Sequence, residues 1–141
     1  SIIKYKPKMK NHFIDEKSYP VEAATYILDN LDINNIKLYN EYNYGSYLIF
    51  RGIPVFIDSR ADLYAPEFNP GVEVFNDYMN LSGMNIDNVE EKLDEYGITH
   101  MLMYKKSKLR RFVEQNTEKY NLLYEDDNFC LFERKQIKES V

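Results

Sequence analysis

Residues 53–64 read IPVFIDSRADLY, an apolar, β-branched and aromatic run that is followed at once by polar residues. A continuous run such as residues 53–57 is typical of a strand covered on both faces, as in a parallel sheet. Pro54 is tolerated near the start of such a strand. The stretch therefore predicts a buried parallel strand that ends just before Asp58.

Other segments also have the composition and patterning of strands: residues 36–39, 98–104, 122–125 and 129–133. The last two flank Asp126-Asp127-Asn128, a favourable hairpin turn, and predict antiparallel strands at the edge of the sheet. Helical patterns separate the earlier strands, which favours parallel pairing through right-handed crossovers. The predicted fold class is α/β, with a small mixed sheet, mainly parallel strands with helical crossovers, and a C-terminal antiparallel hairpin.

Helices are predicted from apolar residues at helical spacing and from their end signals. Pro20 suits the first turn of one helix, and Ser107 opens another. Asp87 and Glu90 form a capping box for a helix that stops at Gly97. Two further helices are predicted over residues 46–50 and 72–81.

The chain has no internal repeat and no linker that would divide it. We expect a Lys-rich lead-in segment over residues 1–19, a single α/β domain over residues 20–134 and a polar tail over residues 135–141. No stretch approaches the ~18 apolar residues that a membrane-spanning helix needs.

Polar side chains follow the predicted strands at residues 36–39 and 53–57, and in open α/β sheets ligands bind at this carboxyl edge. If the two strands are neighbours, both polar segments project into one crevice, which would also hold Asn40. The candidate binding residues are Tyr42, Asn43, Tyr44, Gly45, Asp58, Arg60, Asp62 and Tyr64.

Arg60 would clamp an anion there, with Asp58 and Asp62 as acceptors. The alternative is that these side chains pair with one another or satisfy loop backbone groups. No metal site is predicted, because this local pair of carboxylates does not supply enough oxygen ligands. Gly45 is expected either to need a positive φ or to allow a close approach of the following helix.

Several function classes lack support. The net charge of −5 opposes binding to a phosphate backbone, so no nucleic-acid partner is expected. Glycine spacing typical of nucleotide-binding loops is missing, and no cofactor is predicted. His12 and His100 have no plausible triad, so no catalytic residue is assigned. Cys130 lies in an apolar run and is expected to be a buried, inert thiol.

The sequence resembles the C-terminal soluble region of bacterial polytopic membrane proteins of the GT-C glycosyltransferase type. The likeness spans roughly residues 19–134, and its most specific part is the Phe-Ile-Asp-x-Arg-x-Asp-x-Tyr run at 56–64. Residues 42–47 are also distantly similar to the Trp-Trp-Asp-Tyr-Gly motif of oligosaccharyltransferase catalytic subunits. Tyr44-Gly45 keeps the Tyr-Gly of that motif, whereas both Trp residues and the Asp are replaced.

This resemblance implies a non-catalytic, extracytoplasmic domain of a multi-pass cell-membrane protein, because the catalytic carboxylates of such enzymes lie in loops between membrane segments. Its expected partners are the transmembrane portion of its own chain and a glycan or protein acceptor. The basic lead-in, Lys4 to Lys10, would adjoin the last spanning helix and rest on anionic headgroups. Two alternatives stay open: an envelope binding or structural module without chemistry, and a free-standing small α/β enzyme that uses the Asp58, Arg60 and Asp62 crevice.

Overall fold

The computed structural model describes residues 18–58 and 71–135. Most of the predicted lead-in segment and of the polar tail lies outside these ranges. Arg60, Asp62 and Tyr64 of the predicted crevice also lie outside the described residues.

The described strands form one four-stranded sheet. They are β1 (Leu38–Tyr39), β2 (His100–Tyr104), β3 (Tyr120–Glu125) and β4 (Phe129–Arg134), in the spatial order β1-β2-β4-β3. β1 pairs with β2 in parallel, whereas β2 with β4 and β3 with β4 are antiparallel. The α/β class and the mixed sheet are thus confirmed, but the prediction of mainly parallel strands is wrong.

The sheet differs from the predicted one because of the position of the β3–β4 hairpin. Its second strand, β4, lies in the middle of the sheet, and Leu131 is paired with Leu102 of β2. Residues 129–132 are all buried, so both faces of β4 are apolar. A strand with two apolar faces is stabilised at an interior position, and there β4 occupies the side of β2 that a further parallel strand would need.

The segment at residues 53–57 is irregular, and its prediction as a strand is wrong. Ile53 and Ile57 are buried, Val55 and Phe56 are half-buried, and Pro54 is exposed. The apolar composition therefore reflects burial without strand pairing. The side chain of Asn40, and not a paired strand, forms hydrogen bonds with the backbone groups of Phe56 and Ile57.

Helices occupy the positions predicted for them. They are α1 (Val21–Asn30), α2 (Gly45–Phe50), α3 (Gly71–Ser82), α4 (Val89–Glu95) and α5 (Lys108–Gln115), and a 3₁₀ turn (Tyr42–Tyr44) precedes α2.

Ser107 caps α5 as predicted, since its Oγ accepts a hydrogen bond from the Arg110 N–H at 3.0 Å. The cap of α4 is Asn88, one residue later than predicted, and it accepts from Glu91 N–H at 3.0 Å. None of the described helices is long and apolar enough to cross a membrane.

The helices cover both faces of the sheet, which gives three layers. α1 and α2 pack on one face around Leu102 and Leu131. α3, α4 and α5 pack on the other face around Met101, Met103 and Cys130. Cys130 is fully buried as predicted, and burial raises the pKa of its thiol to about 12. Successive residues of β2 and β4 point alternately to the two faces of the sheet, and each face is covered by a core. Both strands are therefore apolar along their length, without the alternation of apolar and polar residues seen in half-exposed strands.

Replacement of Leu102 by Ala tests the two-sided core. Leu102 is fully buried in a central strand, so Leu102→Ala should lower the free energy of unfolding by about 3 kcal/mol. Leu122→Ala is the matched control, because Leu122 is 50% exposed on β3, and its effect should stay below about 1 kcal/mol. Urea denaturation of both variants measures the difference, and equal losses would contradict this description of the core.

Candidate functional site

Two chain segments leave the sheet at the same edge. β1 and β2 are parallel, with Leu38 opposite His100 and Tyr39 opposite Met101. Asn40 and Glu41 follow β1 directly, and the loop that begins at Lys105 follows β2. We call this side of the sheet the carboxyl edge. It is the side on which open α/β sheets usually bind ligands.

Asn40 organises this edge through its side chain, which is fully buried. Its Oδ1 accepts hydrogen bonds from the N–H groups of Phe56 at 2.7 Å and Ile57 at 3.3 Å. Its Nδ2 donates to the carbonyl oxygens of Ile57 at 2.8 Å and Glu41 at 2.9 Å. We call these four bonds the Asn40 clamp. One amide side chain thus supplies the backbone partners that a neighbouring strand would otherwise give, which is why this apolar segment remains irregular.

Gly45 makes the second contact between the two segments. A Cβ atom at this position would lie 2.0 Å from the carbonyl oxygen of Ile57 and 2.8 Å from the Cα of Asp58. The φ of Gly45 is −59°, so its backbone conformation is an ordinary helical one. Glycine is therefore required because another segment of the backbone passes close to position 45. That segment is the loop at 57–58, and not the following helix as predicted.

The structure brings part of the predicted crevice together. The 3₁₀ turn with Tyr42 and Asn43 leads into Gly45, which lies against Asp58. Asn43 is exposed, whereas Tyr42 and Asp58 are half-buried. The side chain of Tyr42 packs edge-on against Phe75 of α3 at 5.6 Å between ring centroids. These residues meet because of the Asn40 clamp and not because two strands are neighbours.

Tyr44 lies inside the protein. It is fully buried, and its hydroxyl donates a hydrogen bond to the carbonyl oxygen of Leu102 at 2.7 Å. Its ring packs edge-on against Tyr104 at 5.2 Å and Phe129 at 5.5 Å. Tyr44 therefore fixes the turn to β2 and β4, and a ligand at the edge would contact its neighbours first.

Glu41 is a buried acid at the same edge, with 7% of its surface exposed. Its Oε2 accepts a hydrogen bond from the backbone N–H of Tyr104 and lies 3.2 Å from the Tyr44 hydroxyl. Burial raises the pKa of Glu41 to about 7, although the Tyr104 N–H and the nearby Tyr44 hydroxyl lower it in part. The carboxyl group therefore changes its charge near neutral pH.

Glu41 also lines a cavity of about 380 Å³. The rest of its wall comes from the end of β2, the start of α5 and the hairpin turn: Tyr104, Lys105, Lys106, Ser107, Asp127 and Asn128. Lys105 lies 3.6 Å from Glu125, whereas Lys106 is exposed and forms no ion pair within the described residues. The cavity thus offers ammonium donors beside carboxylate acceptors, which suits a polar ligand or the polar surface of a partner.

Glu41 and the 105–107 loop were not among the residues predicted from the sequence. The available signal was the polar pair Asn40-Glu41 placed directly after an apolar strand. Only the parallel register of β1 and β2 brings both segments to one edge.

Comparison with known proteins finds no matching family model, curated protein or solved structure. Within residues 18–58 and 71–135, no group of three or more His, Cys, Asp or Glu side chains is placed to hold a metal ion. The function is therefore inferred from the site itself and from the sequence resemblance.

The Asn40 clamp predicts a large effect of Asn40→Ala. The change leaves buried backbone groups of Phe56 and Ile57 without partners, which should cost about 3 kcal/mol of unfolding free energy. Asn76→Ala is the control, because Asn76 is exposed on α3, and it should change stability by no more than about 0.5 kcal/mol. Chemical denaturation distinguishes the two, and a mild effect at Asn40 would show that the clamp is dispensable.

Glu41→Gln should alter the pH dependence of stability. The pKa of Glu41 rises from an ordinary 4.5 to about 7 on folding, so the native state holds this proton more tightly than the unfolded state does. Stability from this group is present below the unfolded pKa and is lost as the pH rises through the folded pKa. Gln cannot ionise, so the variant should gain about 2 kcal/mol relative to the wild type between about pH 5 and about pH 8. Unfolding free energies of both proteins across this range test the effect, and a constant difference would contradict the raised pKa.

Proposed function

We propose that this chain is a non-catalytic binding domain of a membrane-embedded protein of the GT-C glycosyltransferase type, positioned on the extracytoplasmic side. Its carboxyl edge binds the transmembrane portion of the same protein or the glycan or protein acceptor. The fold itself does not decide this function, since α/β folds host many activities. The support comes from one observation about the site.

That observation is the contact between the two segments that carry the resemblance. Residues 42–47 contain Gly45, and the described part of the second segment, residues 56–58, contains Ile57 and Asp58. The Asn40 clamp and the close approach at Gly45 hold these two parts together. Asn40, which lies outside both segments, thus presents residues 42–47 and 56–58 at one edge. A loop pair fixed by buried hydrogen bonds is a suitable recognition surface, because little conformational entropy is lost when a partner binds.

The chemistry of the edge supports binding over catalysis. Glu41 is the one carboxylate with a strongly raised pKa in the described chain, and it already accepts a hydrogen bond from the Tyr104 N–H and lies near the Tyr44 hydroxyl. Asn43, two residues after Glu41, is exposed, and the cavity wall mixes lysines with acidic and amide groups. Such mixed, partly exposed polar surfaces are typical of the rim of an interface.

Photocrosslinking in the full-length protein tests the proposal. A photoreactive phenylalanine at Asn43 should form an adduct with another segment of the protein or with an envelope partner, in the membrane fraction. The same residue at Glu118 is the control, since Glu118 is also exposed but precedes β3 at the opposite edge of the sheet. Site-specific adducts are read by mass spectrometry.

Two results would overturn the proposal. One is recovery of the full-length protein in the soluble fraction, together with either no adduct from position 43 or equal adducts from positions 43 and 118. The other is turnover of a polyprenyl-phosphate-linked sugar by the purified 141-residue chain, since a binding domain alone should not catalyse transfer.

A further inference from the structure

The carboxyl group of Glu41 has one oxygen that the described fold does not use. Its Oε2 accepts a hydrogen bond from the Tyr104 N–H and lies 3.2 Å from the Tyr44 hydroxyl. Its Oε1 has no hydrogen-bond partner within residues 18–58 and 71–135. In this part of the chain, the unpartnered side-chain atoms that are closed off from solvent are the Tyr39 hydroxyl oxygen, His100 Nε2 and Arg110 Nε. Oε1 is not one of them, so it is accessible although Glu41 as a whole is only 7% exposed.

The cavity at the carboxyl edge is where this oxygen meets solvent. Glu41 is part of the cavity wall and is otherwise enclosed. The volume of about 380 Å³ lies within the range of small-molecule sites. Most buried polar atoms have a hydrogen-bond partner, so an unpartnered oxygen at the base of a cavity points to a ligand atom. A carboxylate oxygen accepts hydrogen bonds, and the ligand atom must therefore be a donor.

The charge of Glu41 selects a cationic donor. Glu41 forms no ion pair with the described residues, and Lys105 of the same wall is held 3.6 Å from Glu125. Burial raises the pKa of Glu41 to about 7, and the two groups that lower it in part, the Tyr104 N–H and the Tyr44 hydroxyl, are neutral. A cation at Oε1 would supply the counter-charge that this buried acid lacks, whereas a neutral donor would not.

The charges nearer the surface of the cavity offset one another. Lys106 and Asp127 are both exposed in its wall, and neither forms an ion pair within the described part of the chain. An anionic ligand attracted by Lys106 would meet the ionised Glu41 deeper in the cavity. The excess charge of the cavity is thus negative, and it lies at Glu41.

The depth of Glu41 selects the shape of the cation. Only a narrow group reaches an acid that is so little exposed, and the half-buried Tyr104 lines the same cavity. A lysine side chain fits, because its apolar stem of four carbons packs along an aromatic ring while the ammonium group stays at the tip. In a phosphoethanolamine headgroup, the phosphate follows the ammonium group after two carbons, so a second anion would lie beside Glu41.

We propose that the cavity at the carboxyl edge binds a lysine side chain of a protein partner, whose ammonium group donates a hydrogen bond to Glu41 Oε1 and neutralises the carboxylate. This inference rests on the proposed function, because it names the group of the partner that the carboxyl edge recognises. It assigns the cavity to a lysine-bearing protein segment instead of a glycan.

NMR titration of the 141-residue chain with ¹³C-labelled glutamate and ¹⁵N-labelled amides tests the site. The probe is the peptide acetyl-Gly-Lys-Gly-amide. The matched probe carries norleucine in place of lysine and so has an apolar chain of similar length without the ammonium group. At about pH 8 the lysine peptide should produce saturable shifts of the Glu41 carboxyl carbon and of the Lys106 amide, and the norleucine peptide should bind at least about tenfold more weakly.

The affinity for the lysine peptide should depend on pH through Glu41. With a pKa of about 7, this carboxyl group is mostly ionised at about pH 8 and only about 1% ionised at about pH 5, so the affinity should fall about 100-fold between them. Burial raises the pKa of the other acids that interact electrostatically with Glu41, so they stay protonated over this range: Tyr39, Tyr44, Tyr78, Tyr104 and Cys130. The other charged groups of the wall are Lys105, Lys106 and Asp127.

Glu41→Gln separates the contribution of Glu41 from that of these other groups. The variant keeps the size of the side chain and is expected to be more stable than the wild type at this pH, so it should fold. It should weaken binding of the lysine peptide at least about tenfold at about pH 8 and remove the pH dependence. Glu118→Gln is the matched control, because Glu118 is an exposed carboxylate at the opposite edge of the sheet, and it should leave both properties unchanged.

Four results would each overturn the proposal: no saturable shift with the lysine peptide, equal binding of the two peptides, an affinity that is constant between about pH 5 and about pH 8, or wild-type affinity in Glu41→Gln. Tighter binding of glycerophosphoethanolamine than of the lysine peptide would also overturn it, by assigning the cavity to a lipid headgroup. These measurements use the isolated chain, whereas crosslinking from position 43 uses the membrane fraction. A failure of peptide binding is therefore distinguishable from a failure of the proposed function.

Discussion

The side chain of Asn40 is the constraint on which the functional edge of this protein depends. Its amide satisfies backbone groups of Phe56, Ile57 and Glu41 inside the protein, where unpaired polar groups are costly. An irregular apolar segment can therefore lie in the core without a neighbouring strand. The hydrophobic effect buries this segment, but the Asn40 clamp sets its position.

The arrangement of the neighbouring residues results from that position. Because the segment at 57–58 passes so close to α2, position 45 has no room for a side chain. The side chain of Tyr44 points into the core, where its hydroxyl donates to the carbonyl oxygen of Leu102. The Glu41 carboxylate accepts a hydrogen bond from the N–H of Tyr104. The turn is thereby attached to β2 at two points. The free-energy cost of burying the Glu41 carboxylate shows in its raised pKa, and the cavity beside it gives that carboxyl group access to the surface.

The sequence predicted local structure better than pairing. Helix ends are specified by neighbouring residues such as Ser107, and the helices lie where they were expected. Residues 53–57 form no strand although they are apolar. An apolar run indicates burial, and a run of five residues cannot show whether a strand or a side chain provides the hydrogen-bond partners of its backbone. The insertion of β4 beside β2 depends on contacts between distant residues, which no local pattern contains. For the candidate site, the Tyr42–Gly45 and Asp58 segments were expected to meet, but Glu41 was overlooked, because its burial is visible only in three dimensions.

Hydrogen exchange at the amides of Phe56 and Ile57 tests the central claim most directly, because these N–H groups donate to Asn40 and to no strand. If the Asn40 clamp holds, both should exchange slowly, with opening free energies within about 2 kcal/mol of those of β2. Exchange at the rate of an unprotected loop would show that Asn40 does not hold this segment, and the shared edge described for residues 42–45 and 57–58 would have no structural basis.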